Sequence, residues 1–150
     1  MHLRPVLLIC SLLSALTSCS AGDDAVGVAF ETPNGRYTVQ AQVADTPDER
    51  ARGLMDRSSL PDGLGMLFLF GDERAHNFYM LNTLIPLDLI SIRDGRVVAI
   101  QRMEPCDDPT TCTEPLTETP VIDAALEVNA GTAAREGITV GTLVSSDALP

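Results

Sequence analysis

At 150 residues the chain has room for one domain and not for two of ordinary size. It carries 21 acidic residues against 10 basic ones, all arginine, for a formal charge of −11. That sign repels nucleic acid and anionic headgroups, and the missing lysine excludes Schiff-base, pyridoxal and P-loop chemistry.

The first residues read as an export signal. Arg4 supplies a weak basic start, Val6 to Leu13 form a short apolar run, and Leu16-Thr17-Ser18 places small residues before Cys19. The run is too short to span a bilayer. A cysteine at the cleavage point is similar to the lipobox of bacterial lipoproteins. That similarity implies a signal peptide over 1–18, a lipid on Cys19 that anchors the protein to a membrane, and a tether over 19–26. The expected address is the cell envelope. With Ser20 rather than Asp after the cysteine, it is the periplasmic face of the outer membrane in a Gram-negative organism. Loss of residues 1–18 removes Arg4 and no acid, leaving nine arginines against 21 acids. The acidity reads first as solvation of an exported surface.

One domain is expected over 27–146. Gly27 to Glu31 reads as a strand, and Pro33-Asn34-Gly35 as a turn, since Asn-Gly accepts positive φ at low cost. Arg36 to Ala44 alternates, with Tyr37, Val39, Ala41 and Val43 on one face, as a half-buried antiparallel strand does. Thr46-Pro47-Asp48-Glu49 is a helix start: a capping threonine, proline at the first helical position, and a glutamate that completes a capping box. Ala51, Leu54 and Met55 give that helix one apolar face, and Gly53 with 58–63 ends it after about two to three turns.

Met66 to Phe70 is a continuous apolar strand, 71–74 a turn, and His76 to Met80 a return strand. Residues 82–86 form an irregular connection. Leu87–Arg93 and Arg96–Met103 flank Asp94-Gly95, a two-residue hairpin signal. Its register predicts Arg93 opposite Arg96, Ile92 opposite Val97, Ile90 opposite Ala99 and Asp88 opposite Gln101. Both faces are apolar in the middle, so the hairpin is expected at the centre of the fold. Val121 to Val128 is a further strand, Thr132–Glu136 a helical turn ended by Gly137, and Ile138 to Val144 the last strands, broken at Gly141. Many short strands with one or two short helices predict a mainly β fold, an antiparallel sandwich or small barrel.

Outside the cytoplasm, Cys106 and Cys112, with five residues between them in a Pro- and Asp-rich loop, read as a disulfide. By the entropy model it contributes ~2–3 kcal/mol. A metal pair is the other reading, but His76 is the only histidine past the signal, and soft sites take three or four ligands. No metal and no cofactor is expected.

Four stretches together resemble the bacterial and archaeal family called domain of unknown function 192. They are Gly53-Leu54-Met55, Gly65-Met66-Leu67-Phe68, Phe78 to Thr83 with Ile85-Pro86-Leu87-Asp88, and Leu126 to Gly131. The resemblance covers about 27–145 and implies a compact, mostly β, often exported domain, with no activity to transfer. Tyr79 stands where the family commonly has tryptophan, Leu81 where a basic residue is usual, and Thr142 where an acid is common.

The candidate site comes from polar residues inside apolar runs, since burying an amide, hydroxyl or carboxylate is costly without a partner. Tyr79, Asn82, Thr83, Asp88 and Glu127 are the expected rim of a cleft that binds a small molecule or another envelope protein. An alternative makes Asp88 and Glu127 the paired carboxylates of a hydrolase or lyase. Another makes Met55, Met66, Met80, Met103 and His76 a copper site, although methionines in apolar runs are ordinary gap-fillers. Asp88 also has a structural reading, as acceptor for backbone N–H groups or for the side chains of Asn82 and Thr83.

Overall fold

The structure, a computed structural model, describes residues 25–106, 112 and 117–150. The expected signal peptide, Cys19 and nearly all of the expected tether lie outside the described residues.

Seven strands close into a barrel. In chain order its strands are β1 (Ala25–Thr32), β2 (Gly35–Ala44), β3 (Leu64–Arg74), β5 (Leu87–Arg93), β6 (Arg96–Met103), β8 (Ile122–Asn129) and β9 (Leu143–Ser145). Around the barrel they run β1-β2-β3-β8-β5-β6-β9, and β9 pairs back onto β1. Two short strands, β4 (Asn77–Phe78) and β7 (Thr117–Glu118), pair with each other outside it. Among the described residues two short helices complete the fold, α1 (Pro47–Arg52) and α2 (Thr132–Glu136). Of the two expected architectures, the molecule adopts the barrel.

Several elements depart from expectation. The first strand begins at Ala25, two residues inside the expected tether, because Ala25 and Val26 pair with Gln42 and Ala41. β2 and β3 are parallel, unlike the other pairs. The 45–63 segment, with α1 inside it, is long enough to return the chain to the same end of the sheet. α1 has six residues rather than two to three turns, since Gly53 leaves helical geometry at φ 48°. The capping box is present: Glu49 N donates to Thr46 Oγ1 at 3.3 Å, and Thr46 N to Glu49 Oε2 at 3.1 Å. β3 runs through the expected 71–74 turn, with its register shifted between Leu69 and Arg74. Near the C-terminus only Leu143–Ser145 is strand, while Ile138 is a buried core residue without strand pairing.

The hairpin register holds at its tip and then slips. Arg93 faces Arg96 and Ile92 faces Val97, but Ser91 faces Ala99, so Val98 is an extra residue. This bulge puts Ile90 opposite Ile100 and Asp88 opposite Arg102, in place of Ala99 and Gln101. β5 is central as expected, flanked by β6 and β8, whereas β6 meets β9 at the single pair Arg96–Leu143.

Alternation divides the apolar residues into two cores. Val28, Phe30, Val39, Leu67, Ile90, Ile92, Val97, Leu126, Val128 and Val144 come from all seven barrel strands and fill its interior. A second core lies on the outer face of β3, β8 and β5. There Met66, Phe68, Ala125, Leu87 and Leu89 are covered by Leu54, Leu60, Phe78 and Met80.

Candidate functional site

Asp88 and Glu127 are both 5 % exposed, and the sheet sends them in opposite directions. On β5, Asp88 pairs with Val128 and shares its face with Ile90 and Ile92, which places it in the interior. Glu127 is one residue from Val128 and pairs with Leu89 on one side and Met66 on the other, on the outer face. The two carboxylates do not share a cleft, so the geometry withholds support from a dyad mechanism.

Asp88 has a structural task. The N-cap of α2 is Gly131, in the left-handed region at φ 85°, and it has no side chain with which to cap. Asp88 Oδ2 accepts from Ala133 N at 3.0 Å and takes one of the amides that a helix start leaves unpaired. The partner is thus a backbone N–H, as the structural reading held, and not Asn82 or Thr83.

Asn82 also acts through the backbone. It adopts φ 57°, its side chain is exposed, and its carbonyl accepts from Asp56 N at 2.9 Å. Thr83 is buried and forms a bridge to Cys106, where Cys106 N donates to Thr83 O at 3.3 Å. Cys106 and Cys112 form the expected disulfide, with Cα atoms 5.9 Å apart.

A cleft of about 750 Å³ opens on the outer face, between α1, the end of β3, the 76–83 segment and β8. Tyr79, Thr83 and Glu127 line it; Asn82 and Asp88 do not. Glu127 forms the floor. Among the described residues its carboxyl has no hydrogen-bond or ion-pair partner, and burial alone pushes its pKa up to about 8. At neutral pH it is therefore mostly a protonated acid, able to donate one hydrogen bond and accept others. Phe68, Phe70, Phe78, Leu54 and Met55 supply apolar wall.

One wall is a stack. Arg50 lies over the Phe70 ring, with Cζ 5.8 Å from the centroid, and donates to the carbonyls of Asp45 and Leu69, the latter at 3.0 Å. Phe70 stacks on His76 at 3.6 Å between centroids and 19° between planes. His76, just before β4, is buried. Its backbone N donates to Thr119 Oγ1 at 2.9 Å, and its Nε2 lies 3.5 Å from Asp72 Oδ1. Burial, then the positive Arg74, lower its pKa and keep the ring neutral near pH 7. Arg52 stands at the exposed rim and, among the described residues, makes no ion pair or side-chain hydrogen bond.

The methionines scatter. Met66, Met80 and Met103 are buried in the outer core, and only Met55 reaches the cleft beside His76. Among the described residues, no group of three or more His, Cys, Asp or Glu side chains is placed to hold a metal. Sequence reasoning missed Arg50, Arg52 and Phe70. The available signal was the basic pair on a short capped helix in an otherwise acid-rich chain.

Fold and site together define a small closed β-barrel with an aromatic, acid-floored cleft on its outer wall. The chain belongs to the DUF192 family, described as an uncharacterized ACR, whose family model matches residues 29–146. It is similar to a protein of unknown function from Novosphingobium aromaticivorans, at 39% identity over 81% of this chain and 84% of that one, with a TM-score of 0.71. It is also similar to a protein from Sinorhizobium meliloti provisionally described as a transcription regulator, at 30% identity over 81% and 93%, with a TM-score of 0.73. No curated protein matches.

Proposed function

We propose that this protein is a lipid-anchored cell-envelope module that binds a small molecule in its outer cleft. The observation that carries this reading is Glu127, an unpartnered carboxyl on the floor of a cavity large enough for a ligand. An acid with no hydrogen bond in an apolar collar of Met66 and Leu89 weakens the fold and helps no neighbour. A bound molecule supplies the missing partner. The cavity volume lies in the range of small-molecule sites, and its apolar walls with a few polar groups have their usual composition. The lipid anchor rests on Leu16-Thr17-Ser18-Cys19, and the Cys106–Cys112 disulfide suits the oxidising compartment such an anchor implies. A transcription role is not carried over from the Sinorhizobium meliloti protein, because a net charge of −11 opposes a phosphate backbone.

The test is a thermal-shift screen of chemically diverse small molecules on the wild type beside Glu127→Leu. Ligands of the cleft raise the wild-type Tm and leave the variant's unchanged. Equal shifts in both, or none in either, overturn the binding reading. For the anchor, Cys19→Ser is expected to release the protein from the membrane fraction.

A further inference from the structure

We infer that the cleft selects a small organic anion with an apolar body, its charged group held at the rim by Arg52 and its inner end hydrogen-bonded by the Glu127 carboxyl. This deepens the binding reading above and rests on it.

The first ground is charge. After the signal residues, nine arginines face 21 acids, yet three of the nine, Arg50, Arg52 and Arg74, line this one cleft. Among the described residues, Arg74 alone of the three forms an ion pair there, with Asp72 at 2.6 Å. Arg50 spends its donors on two carbonyls, which hold the guanidinium in place and leave its positive charge uncompensated. Arg52 has no partner among the described residues. Among the described residues, the acids lining the cleft are Asp72, already paired, and Glu127. A chain that is acidic overall thus carries uncompensated guanidinium charge at this cleft, which draws anions to it and discourages cations.

The second ground is the floor. Glu127 lies between Met66 and Leu89, and the one charged residue of β5 on that face, Arg93 at its far end, is paired with Glu73 at 3.3 Å. The facing titratable groups come from elsewhere: Arg50 and Arg52 on α1, Asp72 and Arg74 on β3, and His76 and Tyr79 beyond it. Held protonated, the carboxyl offers an O–H to a ligand acceptor, a carbonyl, ether or carboxylate oxygen. A cationic ligand would have to pass Arg50 and Arg52 and then ionise Glu127, and no group among the described residues lining the cleft assists it. The third ground is the wall between rim and floor. Phe70 and Phe78 meet edge to face at 6.2 Å, leaving an apolar path with a charge at one end and a donor at the other.

The experiment uses the full chain in detergent, with detergent alone as blank, and three probes of one shape. These are 3-phenylpropanoate, 3-phenylpropanamide and 3-phenylpropylammonium, titrated by calorimetry at pH 6.5. The expected order is carboxylate, amide, ammonium, with about tenfold between the first two, the size of one partly desolvated ion pair. Arg52→Gln weakens the carboxylate about fivefold and leaves the amide unchanged, and Arg52→Lys restores most of the loss. Unchanged amide binding also shows that the variant is folded. An ammonium probe that binds as well as the carboxylate, or an Arg52→Gln variant that binds it like wild type, overturns the anion assignment. If all three probes fail while the broad screen finds ligands sensitive to Glu127→Leu, the anion assignment falls and the binding reading stands.

Discussion

Two carboxylates, 5 % exposed each, sit on adjacent strands of one sheet and meet opposite fates. Asp88 faces the interior and is bonded to Ala133 N, so its burial is compensated and it joins α2 to β5. Glu127 faces out through the second core and is bonded to nothing among the described residues. Burial alone therefore does not mark a site; burial without a partner, at the floor of a cleft, does. The inner core is a closed structural unit with its polar groups answered. The outer core is where the fold tolerates an unmet need.

The largest expected effect follows from that need. In the unfolded chain Glu127 titrates near the ordinary glutamate value, and in the fold near 8. Its pKa is raised, so the folded state holds the proton more tightly, and this stabilisation is full below the unfolded pKa. It drains away as pH rises towards 8, by roughly 5 kcal/mol in all. His76 acts on the other side. Its pKa is lowered, so its contribution is present above the ordinary histidine value and is lost as pH falls through the folded one. Denaturant titrations at several pH values should show the alkaline loss in wild type and its disappearance in Glu127→Leu, which at pH 7 is the more stable protein. A flat wild-type profile would mean that Glu127 has a partner after all.

The next effect tests the seam between the two regions. A Cβ on Gly65 would lie 2.7 Å from the Glu127 carbonyl oxygen and 3.0 Å from Val39 Cγ1, both part of the barrel wall. Gly65→Ala is expected to cost about 3 kcal/mol, as overpacking against backbone does, seen as a lower denaturation midpoint. Asp88→Ala comes third, at about 2 kcal/mol, for a charged hydrogen bond lost and the Ala133 N–H left without its acceptor. Its sign is opposite to that of Glu127→Leu, and equal signs would erase the distinction between the two acids.

How much of this was legible in the chain follows from what a pattern encodes. The capping box around Thr46, the Asp94-Gly95 tip and the Cys106–Cys112 bridge are local, and each stands where the residues put it. The strand faces were legible only up to the Val98 bulge, because one extra residue reverses every side chain beyond it and no residue type announces it. The parallel β2–β3 pair was illegible for a related reason: alternation in 36–44 reports burial on one face and says nothing of the partner's direction. Asp88 and Glu127 looked alike as acids among apolar neighbours. What separates them is the pairing of Asp88 with Val128, a contact across 40 positions of chain. The cleft could not be read at all, since it is assembled from five separate stretches between residues 50 and 127.

The smallest effect probes how independently the outer region stands. α1 is six residues long, too short to persist without its cap, and it carries Arg50 and Arg52 to the cleft. Thr46 Oγ1 is the acceptor that fixes its start. Thr46→Ala should cost about 1 kcal/mol, and the loss should be confined. Arg50 is bound to the Leu69 carbonyl, so fraying of α1 loosens the end of β3 and the Phe70–His76 stack, all on the cleft side. The interior core receives no side chain from α1. Amide exchange in 49–53 is therefore expected to quicken severalfold while β5 and β8 keep their wild-type protection, and the affinity for an anionic probe should fall without a matching fall in barrel stability. Uniform quickening through β5 and β8 would mean that cleft and barrel unfold as one unit, and that the outer face has no freedom of its own to use in binding.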